Sequence, residues 1–235
     1  MYRLDFHAHT GHSRDCAMPA AALLSDAMRA RVNVLCVTDH DTIDGGKQAA
    51  SIVRVRADEY PGLSVIVGEE VMSSEGEIIG LFLTETIPAR LPPAEVAKRI
   101  HGQGGIVTIP HPFDRLRGSR LREGALRMLV DAGLVDAIEA RNARVTFTAD
   151  NDRAERFARD HGLPVVGSSD AHVRGEAGAA YATLDVPPAT DAPGLRAQLP
   201  AMRLGGGLSN PAVHLGSAAA RWGRRLGLLP EKIIL

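Results

Sequence analysis

Along the chain, short apolar runs alternate with longer stretches of helical periodicity. The short runs predict buried strands, which read YRLDFHAH, NVLCVTDH, LSVIVGEEV, EIIGLFLT, GIVTIPHP, AIEARNA, PVVGSSDAH and AYATLDV. Between most of them, apolar residues recur with a period near 3.6 and arginine or glutamate takes the outer face, as with Ala154, Phe157, Ala158 and His161. Strands that alternate with helices predict a parallel sheet with helices packed outside it.

Two segments depart from this alternation. EIIGLFL follows LSVIVGEEV too closely for a helical crossover, so we expect a local hairpin there. The final segment, AAARWGRRLGLLPEKIIL, predicts a helix with a short extension that covers the sheet or a partner surface. No Ser- or Gly-rich linker divides the chain, which favours a single domain.

Composition excludes several classes of protein. The 235 residues are 45% hydrophobic, an ordinary globular value. With 27 basic and 28 acidic residues, the formal charge of −1 provides no global attraction to nucleic acid or to an anionic membrane, although a local basic groove is compatible with it. Two cysteines, Cys16 and Cys36, give no disulfide framework and favour a reducing compartment. We therefore expect a cytoplasmic protein with no signal peptide, no membrane anchor and no stable protein partner.

Polar residues gather where the predicted strands end, and this is where parallel α/β folds build their sites. His7 and His9 are two apart and so face the same side of a strand, and Asp170 and His172 repeat the spacing. The polar strand ends are DFHAHT with Asp5, His7 and His9; TDHD with His40; GEEV with Glu69 and Glu70; IPHPFDR with His111; and SDAH with Asp170 and His172.

Two interpretations of these strand ends compete. A single HxH is a weak signal, and TDHDTIDG by itself is compatible with a polar turn that caps a helix. Buried polar groups, however, cost roughly several kcal/mol each unless they are paired or bind a metal. Histidines and carboxylates at the same end of successive strands therefore favour a metal site. His101 and His161, on predicted helices, and His214, in the tail, are expected to lie outside it.

The ordered motifs DFHAHT, TDHD, IPHP and SDAH, which span residues 5–172, resemble the polymerase and histidinol phosphatase (PHP) superfamily. The resemblance implies an α/β fold, a distorted (β/α)7 TIM-like barrel with its metal site at the carboxyl ends of the strands. It implies one domain over residues 1–235, with a barrel core at 1–186 and a helix and tail at 187–235. It also implies two or three divalent ions, of manganese, zinc or iron.

The resemblance further implies a ligand set. His7, His9, Glu70 and Asp170 would hold one ion, Glu70 would bridge to a second held by His111, and His40 and His172 would hold a third. Asp15 in HSRDC would complete the third site, although many members read SDG there, one position out of step. Glu77 occupies a place where many members have histidine. It is either a ligand, which we favour, or an exposed strand glutamate. The GxEV frame selects Glu70, so Glu69 would face away.

A cluster of divalent ions suits phosphoester hydrolysis by in-line attack of a metal-bound hydroxide. His9, His172 and Asp170 are candidates for assisting proton transfer. Arg115 and Arg144 are the predicted substrate-binding residues, with Arg117 and Arg141 as further candidates. Asp41 either orients a ligand or caps the next helix. The expected substrate is a phosphate ester of a small metabolite, nucleotide or short oligonucleotide.

Two other functions remain open. Amidohydrolases that cleave C–N bonds also carry HxH on a first strand, but they often use a carbamylated lysine at a strand end. Lys47, Lys98 and Lys232 all fall outside the predicted strand ends. A non-catalytic, metal-binding regulatory module is the other alternative.

Overall fold

The computed structural model describes residues 1–230 and arranges them around one nine-stranded sheet. The strands are ordered β7-β6-β5-β4-β3-β2-β1-β8-β9. Their bounds are β1 Tyr2–Ala8, β2 Val34–Val37, β3 Ser64–Ser73, β4 Gly76–Leu81, β5 Ile106–Ile109, β6 Ala137–Asn142, β7 Val165–Ser168, β8 Ala180–Leu184 and β9 Arg203–Gly206. The helices are α1 Ala20–Arg29, α2 Asp44–Val55, α3 Pro93–Gly102, α4 Glu123–Asp131, α5 Thr148–Asp160, α6 Ala192–Gln198 and α7 Val213–Arg225.

The sheet is mixed rather than wholly parallel. Strands β1, β2 and β3 run parallel, as do β5, β6 and β7. Between these groups, β4 is antiparallel to both of its neighbours, because the chain between β3 and β4 is too short for a crossover. The predicted hairpin is therefore confirmed. Strands β8 and β9 extend the other side in antiparallel fashion.

The sheet curls until its two sides meet, which confirms the predicted barrel class. The segment after β7 lies against β1, where Asp170 N–H donates to His7 O (2.8 Å) and His9 N–H donates to Ala171 O (2.9 Å). The carboxyl ends of β1 and β7 are thus joined directly. The HxH and SDAH motifs, far apart in sequence, become neighbours through this closure.

Inside the barrel, one apolar cluster draws residues from β1 through β8, including Leu4, Cys36, Ile79 and Ile106. Helix α6 closes the amino end of the barrel with the fully buried Leu195. Two further clusters lie between the sheet and the outer helices. This alternation of inward and outward residues leaves polar side chains to gather at the carboxyl ends.

The region after residue 186 contains more than the predicted helix. Helix α7 was expected, but α6 and β9 were not. Strand β9 is short, contains glycine and shows no alternation of apolar and polar residues. The last residues of the predicted tail, 231–235, lie outside the described residues. Within 1–230, none of the helices combines the length and the apolar character that crossing a bilayer requires. The division of the domain at residue 186 stays a prediction.

Candidate metal centre

The centre is built around the buried carboxylate of Glu70 on β3. Its Oε2 lies 3.3 Å from His7 Nε2, 3.4 Å from His9 Nε2 and 3.1 Å from His40 Nδ1, while its Oε1 lies 3.1 Å from His111 Nε2. Through these contacts, side chains from the ends of four strands meet at the carboxylate of Glu70. The arrangement is that of a carboxylate placed to bridge two cations.

His7 and His9 face each other across the start of this cluster. Their Nε2 atoms are 2.8 Å apart. His7 Nδ1 is 3.0 Å from Glu139 Oε1, which can only accept when ionised, so the His7 proton sits on Nδ1. His9 Nδ1 is 3.0 Å from Ser13 Oγ, whose own hydrogen is donated to Asp39 Oδ1 (2.6 Å). Both Nε2 lone pairs therefore point at the same spot, which repels them unless a positive charge lies between them.

Asp15 closes a second group of ligands. Its Oδ1 lies 3.4 Å from both His40 Nε2 and His172 Nε2, although its motif is out of step with the family pattern. His172 Nδ1 donates to the carbonyl oxygen of Asp170 (2.7 Å), which leaves Nε2 to face Asp15. Asp170 Oδ1 is 3.5 Å from His9 Nε2 and so connects the two groups.

Glu77 lies inside the cluster. It is only 2% exposed, and its oxygens lie 3.8 Å from His40 Nδ1 and from His111 Nε2. The reading as an exposed strand glutamate is therefore wrong. The β3–β4 hairpin, which pairs Glu70 with Ile79 and Met72 with Glu77, brings this carboxylate back over the site.

Glu139 on β6 lies behind the histidines of the centre, and the sequence analysis did not predict it as a site residue. It holds His7 Nδ1 and accepts from His111 N–H (2.5 Å) and Asn142 Nδ2 (3.0 Å); Ser168 Oγ also donates to it. Carboxylates behind metal-binding imidazoles fix the tautomer and raise ligand basicity. A glutamate within the apolar run AIEARNA was the signal available.

Asp39 braces the loop that carries Asp15. It accepts from Thr10 N–H (2.7 Å), Thr10 Oγ1 (2.7 Å) and Ser13 Oγ (2.6 Å). A Cβ on Gly45 would lie 1.9 Å from Asp39 Oδ2, so only glycine lets α2 approach this brace. The segment TDHDTIDG thus serves as both ligand loop and brace.

The electrostatics of the cluster are those of mutually dependent charges. Burial opposes the ionised form of Glu70, yet the charges of His7 and His40 hold its pKa well below the ordinary value. Burial also opposes protonation of His7, but Glu70, Asp170 and Glu139 raise its pKa well above normal. For His9, burial and the nearby imidazoles of His172 and His40 lower the pKa. The buried carboxylates therefore favour positive charge at the imidazoles beside them, and a bound divalent ion would supply such a charge.

The donor set fits divalent metal ions. Four buried atoms of the cluster make no hydrogen bond within the described residues: Asp15 Oδ1, Glu77 Oε2, His111 Nδ1 and Asp170 Oδ1. Three of them are carboxylate oxygens aimed at imidazoles. The ligand atoms form groups that lie within 4.8 Å of one another: His7, His9 and Glu70; His40, Glu70 and Glu77; His9, His40 and His172; and His7, His111 and Asp170. Mixed imidazole and carboxylate shells suit Zn²⁺, Mn²⁺ and Fe²⁺.

The backbone is strained at two of these positions. His111 has φ of 29° and Asp170 has φ of 54°, in the left-handed region that most side chains avoid. Such conformations persist where the surrounding structure fixes them, commonly at functional sites. The hydrogen bond that the His111 N–H donates to Glu139, and those between β1 and the segment that carries Asp170, supply that constraint.

The four arginines predicted to bind substrate differ in where they lie and in what holds them. Arg115 is half exposed and bound to Asp150 (2.6 Å), outside the cleft described below, which argues against its predicted role. Arg144 lines the cleft but is 4% exposed, and it is held by Glu176 (3.1 Å) and Ser217 (2.7 Å). Arg141 is directed to Gly206 O instead. Arg117, by contrast, contacts Asp170 Oδ2 (2.7 Å) at the cleft floor.

An open cleft of about 950 Å³ leads to the cluster, and Asp15, His40, Glu77 and His172 lie in its floor. Helix α7 forms one wall with Arg221, Trp222, Arg224 and Arg225. His214 lines the wall of the cleft and lies 3.5 Å from Arg144 Nη2, but it is in none of the candidate metal-binding groups found among the described residues. The sequence did not indicate where α7 would dock.

Glu69 faces away from Glu70, as predicted, and its Oε2 accepts from Ile87 N–H (2.8 Å). Burial raises the pKa of its carboxyl to about 8. Asp41 neither orients a ligand nor caps α2. Its Oδ1 accepts from Met72 N–H (2.8 Å) and so ties the TDHD loop to the hairpin.

Comparison with known proteins identifies the family. A family model described as PHP-associated matches residues 148–199. The uncharacterized protein MJ1587 of Methanocaldococcus jannaschii is 36% identical over 121 residues, which are 47% of this chain and 68% of that protein. The uncharacterized protein MJ0417 of the same organism is 31% identical over 180 residues, 76% of this chain and 69% of that protein. The chain belongs to the PHP superfamily.

Solved structures share the fold of this PHP chain. A two-domain protein from Bacteroides vulgatus containing a predicted PHP-like metal-dependent phosphoesterase aligns with a TM-score of 0.66 and 17% identity, over 93% of this chain and 69% of that one. PsfC from Pseudomonas syringae aligns with a TM-score of 0.68 and 19% identity, over 95% and 100%. An amidohydrolase from Chromobacterium violaceum aligns with a TM-score of 0.59 and 19% identity, over 79% and 92%. At these identities the PHP chain shares a fold with them, and function has to be argued from the site.

Proposed function

We propose that this PHP protein is a metal-dependent phosphoesterase that hydrolyses a phosphate ester of a small metabolite, nucleotide or short oligonucleotide. The observation that supports it most strongly is the pair of Nε2 lone pairs on His7 and His9, 2.8 Å apart beside the Glu70 carboxylate. Both imidazoles have their protons fixed on Nδ1 by acceptors behind them. Imidazoles held in this way present Nε2 to a metal ion, which would replace the positive charge that the raised pKa of His7 indicates in the metal-free cluster.

The residues that would hold the ions fall into three connected groups. His7, His9, Glu70 and Asp170 form the first, and Glu70 bridges to a second that contains His111 and Glu77. His40, His172 and Asp15 form the third, supported by the two 3.4 Å contacts of Asp15. Divalent ions bound there would neutralise phosphate oxygens and activate water for attack.

Protein groups supply the remaining chemistry. Arg117, which is largely buried at the cleft floor, donates to Asp170 Oδ2 and lines the cleft, so we assign it to contact a phosphate oxygen of the substrate. It takes the substrate role first assigned to Arg115. His9 and His172 direct Nε2 at the centre, while their Nδ1 protons are donated to other groups. We therefore assign His9, His172 and Asp170 as metal ligands and not as groups that transfer protons.

Arg144 acts as a positioning residue. It joins Glu176, which accepts from the backbone N–H of His172 (2.8 Å), to Ser217 on α7. The loop that carries His172 is thereby tied to the cleft wall. Replacing Arg144 would leave the carboxylate of Glu176 buried without its cation, which is costly in a low-dielectric interior.

The amidohydrolase alternative receives no support from the described residues. Lys47 lies on α2 and Lys98 on α3, so neither reaches a strand end in the described part of the chain, and Lys232 lies beyond it. The centre instead gathers four carboxylates, Asp15, Glu70, Glu77 and Asp170, among its histidines. A non-catalytic module would not require the open, arginine-lined cleft above them.

The test is phosphate release from a panel of nucleotides, sugar phosphates, histidinol phosphate and short oligonucleotides with Mn²⁺ supplied. The wild type is compared with His9→Ala and His172→Ala. His161→Ala is the matched control, because His161 caps α5 and stacks on Phe157 away from the cleft.

We expect turnover of one substrate class, lost with His9→Ala and His172→Ala and retained with His161→Ala. Metal content is measured on every variant. If protein that carries its metal turns over none of the substrates, the proposal is contradicted and the alternative of a non-catalytic regulatory module is favoured. Equal loss with His161→Ala would show that the site variants act through general unfolding.

A further inference from the structure

A second cleft opens at the amino end of the barrel, on the side away from the candidate metal centre. It has a volume of about 520 Å³, and Tyr2, Val34 and Ile66 of the first three strands lie in its wall. Residues 188–190, in the loop before α6, also line it. A volume of this size is typical of sites that bind small molecules. The cleft is therefore the part of this end that α6 leaves open.

The edge of β3 is unpaired where it borders this cleft. In a parallel pair of strands, the N–H and C=O of one residue point to the same neighbour, and those of the next residue point to the opposite side. Ser64 N–H donates to Asn33 O (2.8 Å), so Ser64 is turned towards β2. Val65 is therefore turned towards β4, but β4 ends at Leu81, opposite Gly68. No strand lies beside Val65 on that side.

The chain after β4 bends away from Val65 instead of continuing the pairing. Val67 O accepts from Leu83 N–H (3.0 Å), and Phe82, which is passed over, has φ of 62°. A bulky residue in this left-handed region is uncommon and persists only where the surrounding structure imposes it. Within residues 1–230, neither the N–H nor the C=O of Val65 has a hydrogen-bond partner. One donor and one acceptor are thus presented together in the wall of the cleft.

The cleft carries no charge of its own. Among the described residues that line it, none is an acid, a lysine, an arginine or a histidine. Apolar side chains predominate, and the polar ones are Tyr2, Asn33, Ser64 and Thr190. Because an unpaired charge is costly to transfer from water to apolar surroundings, this cleft disfavours ionic compounds such as phosphate esters. The two clefts of the barrel therefore select different compounds.

We infer that this cleft binds an uncharged, largely apolar small molecule that pairs with the open edge of β3. An amide carries both a donor and an acceptor, as a neighbouring strand does, so it can pair with the N–H and C=O of Val65. The apolar part of the ligand then contacts Ile66 and Phe82, which line the cleft. Such a site is separate from the metal centre and independent of the proposed phosphoesterase function.

Nuclear magnetic resonance of the isotope-labelled full-length protein tests this site without reference to activity. The amide of Val65 is the reporter, and the comparison is Val107, a valine whose N–H donates to Asp136 (2.7 Å). The protein is titrated with naphthalene carboxamide, its N,N-dimethyl derivative and naphthalene carboxylate. The three compounds share one ring system, while the second lacks the amide donor and the third carries a charge.

In the free protein, we expect the amide of Val65 to exchange its hydrogen with solvent much faster than that of Val107, because it has no hydrogen bond. The carboxamide should shift the resonance of Val65 and slow this exchange. The dimethyl derivative should bind about tenfold more weakly, since a hydrogen bond to the Val65 carbonyl is lost. The carboxylate should bind more weakly still, because its charge finds no partner in the cleft.

A matched pair of variants locates the site. Ser64 is exposed and lines the cleft, so Ser64→Phe places a ring in the space that the ligand would fill. Ser51 is exposed on α2, outside the cleft, and Ser51→Phe adds the same ring there. We expect the carboxamide to bind Ser64→Phe about tenfold more weakly or worse, and to bind Ser51→Phe as it binds the wild type. If Ser64→Phe does not fold, the order of the three compounds on the wild type decides.

Several results would overturn this site. They are equal affinity for the three compounds, binding that leaves Val65 unperturbed, and equal binding by Ser64→Phe and the wild type. A Val65 amide that is protected in the free protein and loses its protection on dilution would also overturn it, because a second copy of the chain would then cover the open edge of β3.

Discussion

The two ends of the barrel carry two clefts of opposite chemistry. At the carboxyl ends of the parallel strands, a cleft of about 950 Å³ is lined by arginines, histidines and carboxylates. At the amino ends, a cleft of about 520 Å³ is lined mainly by apolar residues such as Val34, Ile66, Phe82 and Leu83. The same strands supply both. A residue's position along its strand, more than its strand's sequence, therefore decides whether it contributes to stability or to chemistry.

The sharpest test of this comparison uses two adjacent residues with the same side chain. Glu70 lies in the centre and Glu69 faces away from it. We expect Glu70→Gln to lose bound metal and to lower activity on the order of a hundredfold or more, since replacing even a partner behind a ligand costs roughly 10–100-fold. Glu69→Gln should keep both, because the raised pKa of Glu69 makes its carboxyl largely neutral and the amide resembles it. Metal content and phosphate release are measured; equal losses would break the comparison.

The complementary change is made in the apolar cluster inside the barrel. Leu4 is fully buried in the cluster shared by β1 through β8. We expect Leu4→Ala to reduce the free energy of unfolding by roughly 2–5 kcal/mol through lost contacts and a cavity. Metal stoichiometry below the unfolding transition should stay the same. Urea unfolding gives the first quantity and elemental analysis the second, and metal loss in the folded variant would show that the two ends are coupled.

The smallest effect concerns an ion pair at the amino end. Asp136 accepts from Val107 N–H (2.7 Å) and pairs with Arg196 (2.8 Å) and His101 (2.9 Å). Burial alone would raise the pKa of Asp136, but these hydrogen bonds hold it below its ordinary value of 3.8. Because the folded-state pKa is depressed, this stabilisation is present above pH 3.8 and is lost as the pH falls through the folded value.

We therefore expect Asp136→Asn to lower stability by about 1 kcal/mol at neutral pH, and the difference from wild type to shrink in acid. Urea midpoints at several pH values measure this. A difference that stays constant into the acid range would show that the carboxylate charge contributes nothing.

Much of the candidate metal centre was predictable because its residues can be recognised from their immediate neighbours in the sequence. His7, His9, His40, His111, Asp170 and His172 interrupt apolar runs where those runs end, and parallel strands end at one edge. Glu139 escaped prediction because one charge within a strand does not say which histidine it will face. Asp41 was misread because its partner, Met72 N–H, belongs to a hairpin whose distance from the TDHD loop is set by packing.

By itself, the sequence determined the alternation of strands and helices, the β3–β4 hairpin and the candidate ligands at the strand ends, since each follows from local periodicity or chain length. The tertiary structure alone decided the closure of β7 against β1, the burial of Glu77 and the docking of α7. These depend on contacts between distant segments, such as Arg224 with the carbonyls of the loop after β1. No local pattern encodes such a contact, because the energy that fixes it arises only when both surfaces are already formed.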